Sequence, residues 1–443
     1  MGSESSSTGT RRNFLQASAA AAAALVAVRA TASQARETLA LSGGSKAVTY
    51  PSDRHDWLTR WPRYGAEEKK ALIEMIESNE FYEELPIFEE EWQAYTKAPF
   101  VKAHMNGTSA LTSGFFALDL PPGSEILVPS YTFFASIVPM RLFGYVPVFV
   151  DIDPRSACFD LEYAARHITK RTRAMVPVHF WGLLCDMDEI GKFAGERGLL
   201  VLEDAAQAAG ASLQGKAAGN WGDIGVMSFQ TSKVMPTIEG GMGMYQTREL
   251  FERASTFGHY EDPPTFSEDS PYRKYEGTGL GLKLRMHPLA AALARQQLRV
   301  LDSRGALVAR QIRALNERLQ ELPGISAPYC RPDMKRTYYA RNLLFFDSGK
   351  AGFSRENAIK ALQAEGVRVS GTPYREQHKL ALYQEEKWWQ HKPVLPESLP
   401  GTERVNNTCL NLPLFYDECA DLIDQYGAAF EKVWAHRGEL GKG

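Results

Sequence analysis

The sequence predicts an α/β protein: a large domain on a mainly parallel sheet, followed by a smaller C-terminal α+β domain. From about Ser124 onward, short runs rich in Val, Leu and Phe alternate with segments whose apolar residues recur every three or four positions. After about Arg331 that alternation gives way to a different order of strands and helices. With 443 residues, 44% of them hydrophobic, the chain is long enough to bury cores for two domains.

At the N-terminus, "TRRNFLQASAAAAAALVAVRATASQA" places Arg11-Arg12 and Phe14-Leu15 before an Ala-rich run from Ala17 to Val28. Ala30-Thr31-Ala32 then forms a small-x-small cleavage pattern. This order resembles a twin-arginine export signal over residues 1–35, which are set aside from the fold. The apolar run is shorter than the roughly 20 residues a membrane-spanning helix needs. The expectation is a protein carried folded by the twin-arginine export machinery to the periplasm or cell envelope, or a cytoplasmic one if the signal is not used.

Five runs read as strands: "EILVPS", "VPVFVDID", "RAMVPVHF", "LLVLED" and "GVMSF". Between them, "LEYAARHI" and "DMDEIGKFAGERG" have helical spacing. Strands that are apolar throughout imply a parallel sheet covered on both faces, and such sheets bind ligands beyond the carboxyl ends of their strands. A long helix follows His287-Pro288 and is stopped by Leu322-Pro323-Gly324. Beyond it, "TYYARNLLFF" and "VRVS" read as strands flanking the helix "SRENAIKALQAEG", and "CADLIDQYGAAFEKVWAH" reads as a final amphipathic helix. The domains are expected over residues 36–333 and 334–443.

Lys+Arg 50 against Asp+Glu 53, with no long basic cluster, argues against nucleic acid as a partner. Cys158, Cys185, Cys330, Cys409 and Cys419 are scattered without metal-ligand spacing, so no metal site is expected and the cysteines read as packing residues.

The chemistry gathers at strand ends. In "NGTSAL", a glycine and two hydroxyl residues open an Ala/Leu/Phe helix whose free N–H groups suit a phosphate. "LLVLEDAAQAAG" ends a strand in Glu203-Asp204, and a buried carboxylate needs a partner such as a protonated ring nitrogen. In "SFQTSKVMPTIEGGMG", Lys233 stands in a run with no other charge until Glu239; a lysine in a dry or cationic site attacks carbonyls as the free amine. "PSYTFFAS" puts aromatics directly after a strand, where one could stack on a flat ring. One ligand accounts for all of these: pyridoxal phosphate, with its phosphate, flat ring, basic nitrogen and aldehyde.

The order "NGTSAL … VPSYTFFAS … PVFVDIDP … VPVHFWG … LEDAAQAAG … GDIGVMSFQTSK … EGGMG" resembles the DegT/DnrJ/StrS family of pyridoxal-phosphate-dependent sugar aminotransferases of fold type I. The resemblance continues through "LRMHPLAAALARQQL" to "CLNLPLFYDE". It implies that Lys233 carries the cofactor as a Schiff base and moves the proton between substrate and cofactor. It puts Asp204 at the ring nitrogen, Gln207 by the ring hydroxyl and Phe133 against the ring face. Thr108, Ser109, the Gly107 backbone and Ser228 are then the phosphate binders. Lys283 stands where the family often has an Asn that reaches the neighbouring subunit's cofactor phosphate, which implies a homodimer. His179 matches a family histidine that either lines the site or packs beside it. Tyr374 and His378, in "SGTPYREQHKLALY", fall in a segment resembling the family's substrate region.

The implied reaction transfers an amino group from glutamate or glutamine to a ketosugar or related cyclic ketone, a step of amino sugar biosynthesis. A pyridoxamine-phosphate-dependent sugar dehydratase is an alternative, but that branch replaces the Schiff-base lysine by histidine. A non-catalytic binding or regulatory protein on the same fold is another, and Lys233 with Asp204 counts against it.

Overall fold

The computed structural model describes residues 37–441, so the expected leader, residues 1–35, lies outside the described residues. At its centre is a seven-stranded sheet in the order Phe100–His104, Gly241–Tyr245, Ile224–Ser228, Leu200–Asp204, Thr172–Met175, Glu125–Pro129, Val146–Val150. The strands expected from the sequence form its parallel part. Gly241–Tyr245 runs antiparallel to both of its neighbours, so it alone is reversed within the sheet. The carboxyl ends of the other six strands therefore share one edge, joined there by the start of Gly241–Tyr245.

"FVKAH" and "GMGMY" have few of the β-branched residues that mark strands, and tertiary pairing makes them strands. A Cβ on Gly241 would lie 2.4 Å from the Asn106 carbonyl oxygen, so only glycine lets this strand pass the Asn106 turn.

The sheet is covered on both faces. Ile126 and Val128 enter one apolar cluster with Phe115, Leu202, Ile224 and Val226. Leu127, between them, enters the opposite cluster with Trp92, Val201, Met227 and Phe229, as the two-residue period of a strand requires.

The helix Pro288–Leu319 links the two ends of the molecule. Its first turns pack Ala290, Ala291 and Ala294 on the sheet, and its last turns bring Ile312, Leu315 and Leu319 into a third cluster. That cluster is built on the antiparallel strands Ile325–Ser326, Asn342–Phe346 and Cys409–Leu412, with the helices Arg355–Ala364 and Ala420–Ala435. It also takes Leu39, Val48 and Leu58 from the N-terminal segment. "VRVS" departs from expectation: it forms no strand, touching the sheet by a single bridge between Ser370 and Asn411. Cys409–Leu412 holds the position beside Asn342–Phe346 instead, because all of its residues are buried there. Met334–Lys335, at the expected boundary, pairs with Ser212–Leu213 of the large part.

Candidate active site

At the shared edge lies a cavity of about 470 Å³. Its floor begins with the helix Gly107–Leu118, whose N-cap Asn106 accepts a hydrogen bond from the Ser109 N–H at 2.9 Å. The Ser109 hydroxyl accepts from the Asn106 N–H and donates to the Asn106 carbonyl, closing the cap. Helix geometry leaves the N–H groups of Gly107 and Thr108 without intrahelical acceptors, and both residues line the cavity. Ser228 lies against this turn: a Cβ on Gly107 would come within 2.6 Å of the Ser228 Cβ. Glycine there keeps a hydroxyl beside two free N–H groups, which is a phosphate cradle.

Asp204 closes the Leu200–Asp204 strand and is buried. One carboxylate oxygen accepts from the Ser136 hydroxyl at 2.6 Å, the other from the Ala206 N–H at 3.0 Å. Ser136 is in turn bonded to the Thr132 hydroxyl at 2.8 Å. Gln207 accepts the Trp181 N–H through its side-chain oxygen, at 3.0 Å, which fixes its amide at the cavity wall.

Glu203, one residue earlier, faces the other side of the sheet. It accepts from the backbone N–H groups of Gly219, Trp221 and Gly222 and from His179. Burial works to raise its pKa, but the His179 hydrogen bond and the backbone donors outweigh it and hold the carboxyl below the usual carboxylate range.

Lys233 sits on the cavity wall with Nζ 4.6 Å from the centre of the Tyr339 ring. Its loop is pinned by the Trp61 indole, which donates to the Lys233 carbonyl at 3.0 Å. Phe133, 48% exposed, and Tyr374 line the same space. Glu239 lines it as well, and burial raises its carboxyl pKa.

The fold thus brings Gly107, Thr108, Phe133, Asp204, Gln207, Ser228, Lys233 and Tyr374 to one cavity. Other candidates lie elsewhere. The Ser109 hydroxyl is spent in the helix cap. His179 is fully buried behind the sheet, its Nδ1 accepting from the Cys185 N–H and its Nε2 donating to Glu203, so it packs rather than lines. His378 is buried against Ser130, with Nδ1 2.7 Å from the hydroxyl. Lys283 is exposed in a separate pocket beside Tyr260 and Arg285. Sequence reasoning missed Thr132, Ser136, Glu239 and Tyr339. Only "PSYTFFAS" carried a signal for the first two, and it pointed to its aromatics.

These residues fit pyridoxal phosphate: a cradle for the phosphate, an aromatic side chain, a buried carboxylate for the basic nitrogen, and an amine. Residues 62–430 match the sequence model of the DegT/DnrJ/EryC1/StrS aminotransferase family. The chain is 28% identical to 3-amino-5-hydroxybenzoate synthase of Amycolatopsis mediterranei over 362 residues, 79% of this chain and 90% of that protein. It is 31% identical to GDP-perosamine synthase of Caulobacter vibrioides over 351 residues, 78% and 89% of the two chains. The solved structure of an aminotransferase from Psychrobacter cryohalolentis superposes with a TM-score of 0.77 at 27% identity, covering 86% of this chain and all of that one.

Proposed function

The chain belongs to the DegT/DnrJ/EryC1/StrS aminotransferase family and is a pyridoxal-phosphate-dependent aminotransferase of fold type I; on that premise we propose that it moves an amino group from L-glutamate or L-glutamine to a ketosugar or related cyclic ketone. The observation that carries this reading is Lys233 lining one cavity with Asp204 and the Gly107 helix start. The relatives named above act, by their names, in making an amino-hydroxybenzoate and an amino sugar, and both products carry the amino group on a ring.

When bound, the cofactor supplies an aldehyde that holds an amine and a ring that takes up an electron pair. In the proposed reaction the N–H groups of Gly107 and Thr108, with the Thr108 and Ser228 hydroxyls, bind the phosphate. Asp204, oriented by the Ser136 hydroxyl and the Ala206 N–H, would meet the ring nitrogen. Phe133 and Gln207, which line the same cavity, would meet the ring face and the ring hydroxyl. Lys233 Nζ, on the cavity wall, would hold the cofactor's aldehyde and would carry the proton to and from the substrate carbon.

The test is spectroscopic. Holoenzyme should show a visible cofactor band that L-glutamate or L-glutamine bleaches and a keto acid restores. Lys233→Ala should lose the band and turnover. Turnover by that variant without an added amine would overturn the proposal.

Lys283 stands apart from its own chain's cavity, and Phe133, Phe134 and Ile238 are exposed. Both support a homodimer in which Lys283 serves the neighbouring subunit's cofactor phosphate; a fully active monomer by light scattering would overturn it. The leader supports export, and N-terminal sequencing of protein from fractionated cells tests that. Nucleotide-linked sugars are cytoplasmic, so an exported enzyme would take a ketone that is not nucleotide-linked.

A further inference from the structure

Arg341 precedes the Asn342–Phe346 strand and is half-buried. Asn342 turns onto Asn316 of the long helix, so strand alternation turns Arg341 the other way, toward Trp181, whose ring neighbours Tyr339 and Tyr374 line the cavity. Its guanidinium lies 4.3 Å from the centre of the Trp181 ring. Trp181 is stacked on Tyr339 at 5.7 Å and 21°, and Tyr339 carries Lys233 Nζ on its ring. Trp181 also meets Tyr374 edge to face at 5.6 Å.

Two cations thus bracket a stacked aromatic pair, and one of them is the lysine of the cavity. Burial raises the pKa of the Tyr374 hydroxyl; the Arg341 charge opposes that rise and the Asp204 charge adds to it. Tyr374 therefore lies within the fields of both groups.

Several half-buried arginines are paired, Arg253 with Glu249, Arg295 with Glu84 and Glu91, and Arg331 with Asp188, whereas Arg141, outside the cavity lining, is unpaired among the described residues like Arg341. The Arg341 guanidinium has no ion pair and no hydrogen-bond acceptor among the described residues; its neighbour is the Trp181 ring. A ring face meets the charge of a guanidinium but none of its five N–H donors. None of the Arg341 nitrogens is among the buried unpaired atoms of the described residues, so its donors keep solvent access and remain open to an incoming acceptor.

We propose that Arg341 is a specificity-determining residue that binds a carboxylate of the substrate. The planar fork of a guanidinium takes a carboxylate bidentately. A single unpaired arginine matches one negative charge; the diphosphate of a nucleotide sugar would call for more than one cation. This inference rests on the aminotransferase reading of the cavity, and the carboxylate belongs either to the amino donor or to the keto acceptor.

The test uses holoenzyme with glutarate as a donor-like acid and shikimate as a cyclic, acceptor-like acid, neither of which can be transaminated. Binding is read by calorimetry, and the donor half-reaction by loss of the visible band on adding L-glutamate. Arg341→Gln should weaken glutarate binding about 10- to 100-fold. The glutamate concentration for half-maximal bleaching should rise by a similar factor, with the melting temperature and resting spectrum unchanged. Arg341→Lys should recover part of the loss. If shikimate binding falls and glutarate binding does not, the carboxylate is the acceptor's. Equal binding by wild type and Arg341→Gln, or binding of neither acid to wild type, overturns the inference. Arg341-dependent binding in a protein whose band no amino donor bleaches would keep this inference and overturn the aminotransferase proposal.

Discussion

Asp204 is held from two sides by this chain alone, by the Ser136 hydroxyl and the Ala206 N–H. Both partners donate, so they fix the orientation of the carboxylate before a ring nitrogen meets it. Asp204→Asn keeps the shape and removes the charge. Its turnover should fall about 10- to 100-fold or more, measured as the single-turnover rate of band loss with L-glutamate. An unchanged rate would remove Asp204 from the ring nitrogen. At this scale the sequence was informative where residue type and strand position coincided, as at Asp204 and Lys233. It was silent on direction: Glu203 and Asp204 are adjacent, and only the pleat decides which one meets the cavity. His179 and His378 stand next to motif residues in sequence, yet the fold turns one onto Glu203 and the other onto Ser130.

Among the elements, the helix Gly107–Leu118 shows how a start signal becomes a site. The Asn106 cap uses up Ser109 and frees the first N–H groups. Gly107→Ala should be tolerated poorly, because its Cβ would sit 2.6 Å from the Ser228 Cβ. The expected outcome is a loss of about 1 to 3 kcal/mol in unfolding free energy. The phosphate cradle would also widen, so the cofactor should leave faster on dialysis; stability and cofactor retention equal to wild type would sink this account. The parallel strands were legible because each is apolar on both faces. Phe100–His104 and Gly241–Tyr245 were not, because glycine and methionine give no strand signal and the pairing itself makes them strands.

Across the whole molecule, His104 and His259 form a buried chain with Tyr245: His259 Nε2 is 3.2 Å from His104 Nδ1, and His104 Nε2 is 3.3 Å from the Tyr245 hydroxyl. Burial, with a further push from Lys102, takes the His104 pKa down to about 3. Burial first, then His104, Lys102 and Arg285, holds His259 well below its usual value. A histidine with a depressed folded-state pKa takes up its proton more readily when unfolded. The stability from the neutral pair is therefore complete above about pH 6.5 and is lost as pH falls toward the folded-state values. Each ring contributes a slope of at most about 1.4 kcal/mol per pH unit in that window. Denaturant unfolding at pH 7.5 and 5.5 should show the decline, and His259→Gln should flatten it; equal slopes for the two proteins would refute the assignment. Composition, strand order and a set of spaced motifs were enough to determine the α/β class, the cofactor and most of the candidate residues that the fold gathers at one cavity, because each depends on local pattern and residue type. Tertiary structure alone decided which side of the sheet each side chain faces, that Tyr339 from beyond the long helix lines Lys233's cavity, and that His179 and His378 do not. Those outcomes depend on packing between segments separated in the chain, by 24 residues for His179 and Glu203 and by 248 for His378 and Ser130, which no local pattern encodes.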